Sequence, residues 1–306
     1  MNDIKAKWIA ADWGTTHMRA WAIGKEGEIL AYRESNEGMK DLQQNEFEPV
    51  LLRLIESWLD NNKVTTVMAC GMVGAKQGWV ETPYLKTPCI PIDNGQLTVA
   101  TTSDGRIRVN LVPGVMQNKP ADIMRGEETQ IAGFININPD FNGVVCLPGT
   151  HAKWVSIKDR EIKNFKTFMT GELFGVISNH TLIRHSTSIK GWNQTSFEEG
   201  VLEGFKNPGA IASNLFSLRA ESIVNNLNRD EARSTLSGLL LGVELNGSQS
   251  YWKNNNVTLI GSELLSNNYS EGIKILGGKS ELFNLETATL SGLSSAYKKL
   301  DSKQKE

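Results

Sequence analysis

Residues 8–21 read Trp8-Ile9-Ala10-Ala11-Asp12-Trp13-Gly14-Thr15-Thr16-His17-Met18-Arg19-Ala20-Trp21. A short apolar run ends in an acidic residue, a Gly-Thr-Thr turn follows, and a second apolar run flanks Arg19. The pattern predicts strand, tight polar turn, strand. Glycine permits the turn and lets a ligand approach the backbone closely. The turn offers two threonine hydroxyls and its own N–H groups to an anion, and Asp12 is placed to hold a cation against it. An ordinary hairpin with a carboxylate on its first strand would explain the same residues, so the weight falls on the rest of the chain.

That weight comes from an echo. Leu147-Pro148-Gly149-Thr150-His151-Ala152-Lys153-Trp154 repeats the order of a strand, a Gly-Thr turn, a histidine, a basic residue, a tryptophan and a second strand. Each copy is followed by a third strand, at 27–33 in the first case and 161–168 in the second. The expectation is a duplicated architecture, with two phosphate-facing hairpins brought to one cleft.

Between and beyond the hairpins the periodicity sorts the chain. Phe47, Val50, Leu51, Leu54, Ile55, Trp58 and Leu59 recur at helical spacing and predict one amphipathic helix. Residues 65–70 predict a buried strand, so strand–helix–strand alternation and parallel pairing begin there. Residues 71–91 show neither period and form a long Gly-, Pro- and aromatic-rich loop. Strands are expected at 96–101 and 107–112, then a helix opened by Pro120 and stopped near Gly133. After the second hairpin, helices are expected at 171–185, 196–205, 208–227 and 229–245. A strand at 257–261, a short helix, a strand near 273–276, a helix at 285–299 and a frayed charged tail complete the reading. The boundary falls between an N-terminal lobe, 1–134, and a C-terminal lobe, 135–306.

Composition narrows the function. With 306 residues, 40% of them hydrophobic, the chain can bury a core of domain size. A net charge of −2 supplies no basic field for nucleic acid. Cys70, Cys89 and Cys146 are far apart in sequence, which argues against a disulfide framework or a zinc site and fits a reducing cytoplasm. The N-terminal apolar run is too short for a signal peptide, and no stretch approaches the ~18 apolar residues of a membrane helix. Gly278-Lys279-Ser280 imitates the end of a P-loop, but Ile273 stands where the first glycine belongs.

Two apposed Gly-Thr hairpins suit the phosphates of a nucleotide, with Asp12 binding Mg²⁺ directly or through water. Phosphoryl transfer also calls for a carboxylate to accept the proton of the attacking hydroxyl. Glu127 and Glu128, in the run Met124-Arg125-Gly126-Glu127-Glu128-Thr129-Gln130, offer two candidates. Acidic residues in a first helical turn also simply suit the helix dipole. In the long loop, which includes Met72, the glycines Gly71 and Gly74 permit close approach to a small molecule. Gln77, Glu81 and Tyr84 can bond its hydroxyls, and Trp79 can form a wall. Lys76 or Arg19 can meet a carboxylate. Thr170 falls near a helix N-cap or an edge of the cleft.

The blocks AADWGTT, MACGMVGAKQGWVETPY, MRGEETQ, LPGTHAKWV and FKTFMTGELFGVISNHT, in that order, resemble the 2-dehydro-3-deoxygalactonokinase family. That family is similar in its phosphate motifs to the actin/hexokinase/Hsp70 superfamily. The resemblance implies an α/β two-lobe actin/hexokinase-like (ribonuclease H-like) fold, duplicated, each lobe a mixed five-stranded sheet with helices. It implies ATP with Mg²⁺ as cofactors, a sugar acid as partner, and transfer of the γ-phosphate to the 6-hydroxyl of 2-dehydro-3-deoxy-D-galactonate in galactonate catabolism. Asp12, Gly14, Thr15 and Thr16 then take the first phosphate loop, and Gly149, Thr150 and His151 the second. Gly261, Ser262 and Glu263 stand where the superfamily places a glycine run beside adenosine. Related Glu-Glu-Ala motifs favour Glu128 over Glu127 as the base. Neither nucleic acid nor membrane is expected as a partner, and a homodimer is the candidate assembly. The alternatives are a kinase for the gluconate epimer, a phosphatase, and a nucleotide-dependent sensor on the same fold.

Overall fold

The computed structural model describes residues 4–92 and 96–303. They form two compact units. Of the described residues, the first takes those up to 141, 158–164 and those from 285 to 303; the second takes 142–157 and 165–284. The chain thus crosses back rather than dividing once near residue 134.

In the first unit, β1 (Trp8–Trp13), β2 (Met18–Ile23) and β3 (Ile29–Ser35) precede helix α1 (Phe47–Ile55). There follow β4 (Thr65–Gly71), β5 (Tyr84–Lys86), β6 (Thr98–Val99), β7 (Ile107–Leu111), β8 (Gly114–Asn118), β9 (Ala121–Met124) and helix α2 (Glu127–Ile137). The main sheet has the order β3-β2-β1-β4-β7-β6, with β1 antiparallel to β2 and parallel to β4. The two-residue β6 makes this sheet six-stranded rather than five-stranded, and β5, β8 and β9 form a separate small sheet.

Both faces of the main sheet are covered, which is why β1 reads as continuously apolar. Ile9, Ala11 and Trp13 join Phe47, Val50, Leu51, Leu54 and Ile55 of α1 in one core cluster. Each such buried side chain contributes about 1.5–3 kcal/mol relative to exposure. Trp8 and Ala10 point to the other face and join a second cluster.

Helix α2 begins at Glu127, not at Pro120. Residues 121–124 instead pair antiparallel with β8, matching Met124 to the buried Val115. The break is Gly126, whose φ of +111° turns the chain from strand to helix. Pro120 was a sound helix-start signal locally, but pairing with the preceding strand overrides it.

The second unit repeats the first sheet's plan. It contains β10 (Gly143–Leu147), β11 (Ala152–Lys158), β12 (Glu161–Phe168), β13 (Asn256–Gly261) and β14 (Lys279–Asn284), ordered β12-β11-β10-β13-β14. Strand β10 is antiparallel to β11 and parallel to β13, as β1 is to β2 and β4. Its helices are α3 (Thr170–His180), α4 (Gln194–Lys206), α5 (Ile211–Val224), α6 (Arg229–Gly247), the short α7 (Gln249–Trp252) and α8 (Glu263–Ile275). Helices α4 and α6 cross backbone to backbone: a Cβ on Gly204 would lie 2.2 Å from the Leu239 carbonyl, and one on Gly242 2.2 Å from that of Val201.

The strand expected near 273–276 is the end of α8, where Ile273 is buried. The true strand, β14, is a charged edge strand whose alternation is too weak to announce itself. Gly277 and Gly278 close α8: their N–H groups donate to the carbonyls of Lys274 and Ile273, both at 2.9 Å, a double helix-ending bond. This accounts for the P-loop look-alike. Helix α9 (Leu285–Lys303) belongs to the first unit, where Tyr297 stacks on Trp8 at 4.7 Å. It runs past the expected residue 299, and the last three residues of the expected tail lie outside the described residues.

Candidate active site

In the first unit, strand parity sets the chemistry. Asp12 pairs in register with Arg19 on β2 and with Cys70 on β4, so all three side chains leave the same face of the sheet. Arg19 donates to Asp12 Oδ2 at 2.5 Å, and the Cys70 thiol approaches Oδ1 at 3.7 Å. Burial, then the negative charge of Asp12, pushes the Cys70 thiol well up, so it stays protonated. Arg19, one of the two cations expected to meet a substrate carboxylate, is therefore committed to Asp12.

Beyond Asp12 the chain makes its turn, with Gly14 N–H donating to the His17 carbonyl at 2.8 Å and Thr15 and Thr16 exposed. The N–H groups of Met39 and Lys40 donate to the carbonyls of Gly14 and Thr15, which fastens a following turn onto the hairpin. That turn and the 71–84 loop enclose an open groove of about 570 Å³, lined by Lys40, Gln43, Gln44, Lys76, Gln77 and Gly78.

The loop begins at Gly71, at φ +90°, where a Cβ would lie 2.5 Å from the Trp13 carbonyl. A Cβ on Gly126 would in turn lie 3.3 Å from Gly71 Cα, so the start of α2 abuts the start of the loop beside Asp12. Arg125 ties them further. Its guanidinium donates to the hydroxyl and carbonyl of Thr82 and lies 4.2 Å over the Tyr84 ring. Sequence reasoning assigned Arg125 no role, although its place directly before Gly-Glu-Glu was a signal. Met72 and Gly74 lie at the inner end of the loop, and Glu81 is exposed. Trp79, expected as a wall of the small-molecule site, packs instead in the core against Phe47 and Trp13.

The two glutamates differ sharply. Glu128 is 0% exposed; its Oε2 accepts from Gly126 N–H at 2.7 Å and its Oε1 from the Thr129 hydroxyl at 3.1 Å. Burial first, then the charge of Glu127, pushes its carboxyl up to about 8. Glu127 is half-buried, with Oε2 accepting from Arg125 N–H at 3.1 Å.

In the second unit, Gly149 has open space where a Cβ would stand. Thr150 and His151 are exposed. Helix α3 starts against this hairpin. Glu172 N–H donates to the Thr150 carbonyl at 2.9 Å, and His151 Nε2 lies 2.6 Å from Glu172 Oε2. Thr170 is the first residue of α3 but caps nothing; its hydroxyl donates to Glu244.

Beside this hairpin lies a cavity of about 250 Å³. Gly149, Thr170, Phe174, Lys190, Trp192, Arg233, Leu264, Leu265 and Tyr269 are among its lining residues. Gly261, Ser262 and Glu263 form the β13–α8 corner just before Leu264, so they reach this region through the first turn of α8. The cavity's aromatic and aliphatic lining went unread in the sequence because an apolar helix face looks the same whether it meets a core or a ligand.

Among the described residues no three His, Cys, Asp or Glu side chains gather to hold a metal. Mg²⁺ ordinarily takes one or two carboxylates and completes its shell with phosphate oxygens and water. Asp12 beside a polar turn suits a cation that arrives with a phosphate. The largely apolar lining of the second unit's cavity, which includes Phe174, Trp192, Leu264 and Leu265, and the open space at Gly149 suit a nucleoside.

Residues 12–296 match the family described as 2-keto-3-deoxy-galactonokinase. The chain is 32% identical to the 2-dehydro-3-deoxygalactonokinase of Escherichia coli (strain K12), over 95% of this chain and 98% of that one. It is 34% identical to a Rhizobium meliloti (strain 1021) protein assigned the same activity, over 94% and 96%. A Sinorhizobium meliloti crystal structure with that assignment superposes with a TM-score of 0.87 at 34% identity, covering 95% of this chain and 96% of the other. At the level of fold alone, MreB 5 of Spiroplasma citri, 10% identical, superposes with a TM-score of 0.51 over 97% and 98%.

Proposed function

Because the chain belongs to the 2-keto-3-deoxy-galactonokinase family, we propose that it transfers phosphate from ATP to the 6-hydroxyl of 2-dehydro-3-deoxy-D-galactonate, using the residues gathered around Asp12. The relatives' names favour this acid over its gluconate epimer and favour transfer over hydrolysis. The observation that carries the assignment of residues is that the start of α2, with Glu127 and Glu128, abuts Gly71 beside Asp12 and the strand that leads into the Gly14–Thr16 turn. No helix among the described residues is long and apolar enough to cross a membrane, and Cys70, Cys89 and Cys146, none of them in a disulfide, suit the reducing cytoplasm we assign to it.

ATP supplies the phosphoryl group, and Mg²⁺ neutralises charge on its phosphates. Asp12 would hold the cation, with Arg19 fixing the direction of its carboxylate. In the first unit we assign phosphate oxygens to the N–H groups and hydroxyls of Thr15 and Thr16, the Gly14 N–H being given to the His17 carbonyl; in the second unit Gly149, Thr150 and His151 are the corresponding phosphate-binding residues. The second unit's cavity takes the nucleoside. Glu127 accepts the proton of the 6-hydroxyl. Glu128 is fully buried and holds the Gly126 N–H and the Thr129 hydroxyl, so it is less open to a substrate hydroxyl than the half-buried Glu127. Its part is to hold the Gly126 N–H and so the turn that presents Glu127. Lys76 and Lys40 meet the carboxylate of the sugar acid, while Gln43, Gln44 and Gln77 bond its hydroxyls.

Product analysis tests this reading. Phosphorus–proton correlation NMR of the product should couple the new phosphate to the terminal CH₂ protons of the acid. Coupling to any other carbon-bound proton, or inorganic phosphate as the sole product, would contradict it.

A further inference from the structure

Helix α6 carries a carboxylate deep in the second unit: Glu244 is 1% exposed. Burying a carboxylate is costly unless donors surround it. Here three donors come from three other elements. Trp154 of β11 donates to Oε1 at 2.7 Å, Tyr269 of α8 donates to Oε2 at 2.8 Å, and Thr170 of α3 donates to the same Oε2. Two of these donors, Thr170 and Tyr269, line the cavity beside the second phosphate hairpin. Thr170 also sits one residue before Gly171, which packs against the Gly149 carbonyl.

A hydroxyl has one hydrogen and two lone pairs. With both hydrogens given to Glu244, Thr170 and Tyr269 have only lone pairs left for anything in the cavity. We propose that Glu244 is a positioning residue for nucleoside binding: it holds the hydrogens of Thr170 and Tyr269 inward, so that these hydroxyls meet the nucleoside as acceptors for its hydroxyl or amino donors. This rests on the reading of the cavity as the nucleoside site.

The arrangement is sensitive to one proton. The Trp154 indole N–H can only donate, so Oε1 must remain an acceptor and any proton on the carboxyl resides on Oε2. There it confronts two hydroxyls, and at least one of them must turn its hydrogen away. The titratable groups facing Glu244 are Tyr269 from α8 and Cys146 from β10, both pushed well up by burial and by Glu244 itself, so both stay protonated. Burial holds the Glu244 carboxyl up at about 7, against the pull of its three donors. Nucleoside affinity should therefore fall as the pH drops below about 7.

Replacing Glu244 by Gln imposes the same inversion permanently. The amide oxygen must face Trp154, which leaves the NH₂ group facing the two hydroxyls. For E244Q, calorimetric titration with ATP should show a Kd raised about tenfold, as for loss of a hydrogen bond to a charged group, with kcat unchanged. The dependence of wild-type Kd on pH between 6 and 8 should vanish in E244Q. Should E244Q not fold, T170V should weaken ATP binding comparably while T170S restores it. Wild-type Kd and an unaltered pH curve in E244Q, or equal binding by T170V and T170S, would overturn the proposal. Leu265→Trp, which fills the cavity, separates the two levels: if L265W binds ATP normally, the cavity is not the nucleoside site. If L265W loses ATP while E244Q does not, only the role of Glu244 fails.

Discussion

The adjacent residues Glu127 and Glu128 have the same side chain and opposite environments. The sequence offered both as candidate bases, and the family resemblance favoured the second. We propose Glu127 instead, because Glu128 is fully buried whereas Glu127 is partly accessible at the first turn of α2. We expect E127Q to lower kcat by about 10²- to 10⁴-fold, the usual contribution of a positioned general base. E128Q should leave kcat within a few-fold of wild type. Steady-state rates at saturating ATP and acid decide between them, and the reverse ranking would return the role to Glu128. The distinction was invisible in sequence because it depends on a positive-φ glycine, Gly126, and on which carboxylate its N–H selects.

At the scale of elements, the reading succeeded where a signal was local and failed where a neighbour decided. Helix α1 showed itself through its apolar stripe, and both Gly-Thr hairpins through their turns. Residues 121–124 and 279–284 are strands only because β8 and β13 pair with them. Of the residues read as a small-molecule site, Trp79 of the long loop packs in the core and Arg19 of β2 pairs with Asp12, while Arg125, outside the loop, ties it down through Thr82. The exposed side of the loop, where Lys76 and the turn that carries Lys40 line a common groove, is the part we propose for the sugar acid. K76M should therefore raise KM for the sugar acid about tenfold, about 1.4 kcal/mol of charge-assisted binding, and leave KM for ATP unchanged. Equal effects on both substrates would place the lysine elsewhere in the reaction.

For the molecule as a whole, the duplication is the deepest feature legible in the sequence. The two echoing hairpins head two sheets with the same plan, in which an antiparallel first pair precedes a parallel partner of the leading strand. The return of α9 to the first unit was not legible, because its contacts with Trp8, Trp21 and Ile92 are more than 200 residues distant in sequence. The family match makes the chain a sugar-acid kinase, and we propose that the two hairpins, the head of α2 and the groove beside Lys76 are its working parts. The most direct measurement is ADP release with ATP and Mg²⁺ in the presence and absence of 2-dehydro-3-deoxy-D-galactonate, for the wild type and for D12N. The account predicts ADP release that depends on the acid and is abolished in a D12N protein that remains folded by circular dichroism. ADP release no greater than with ATP alone, or a folded D12N enzyme working at the wild-type rate, would contradict it.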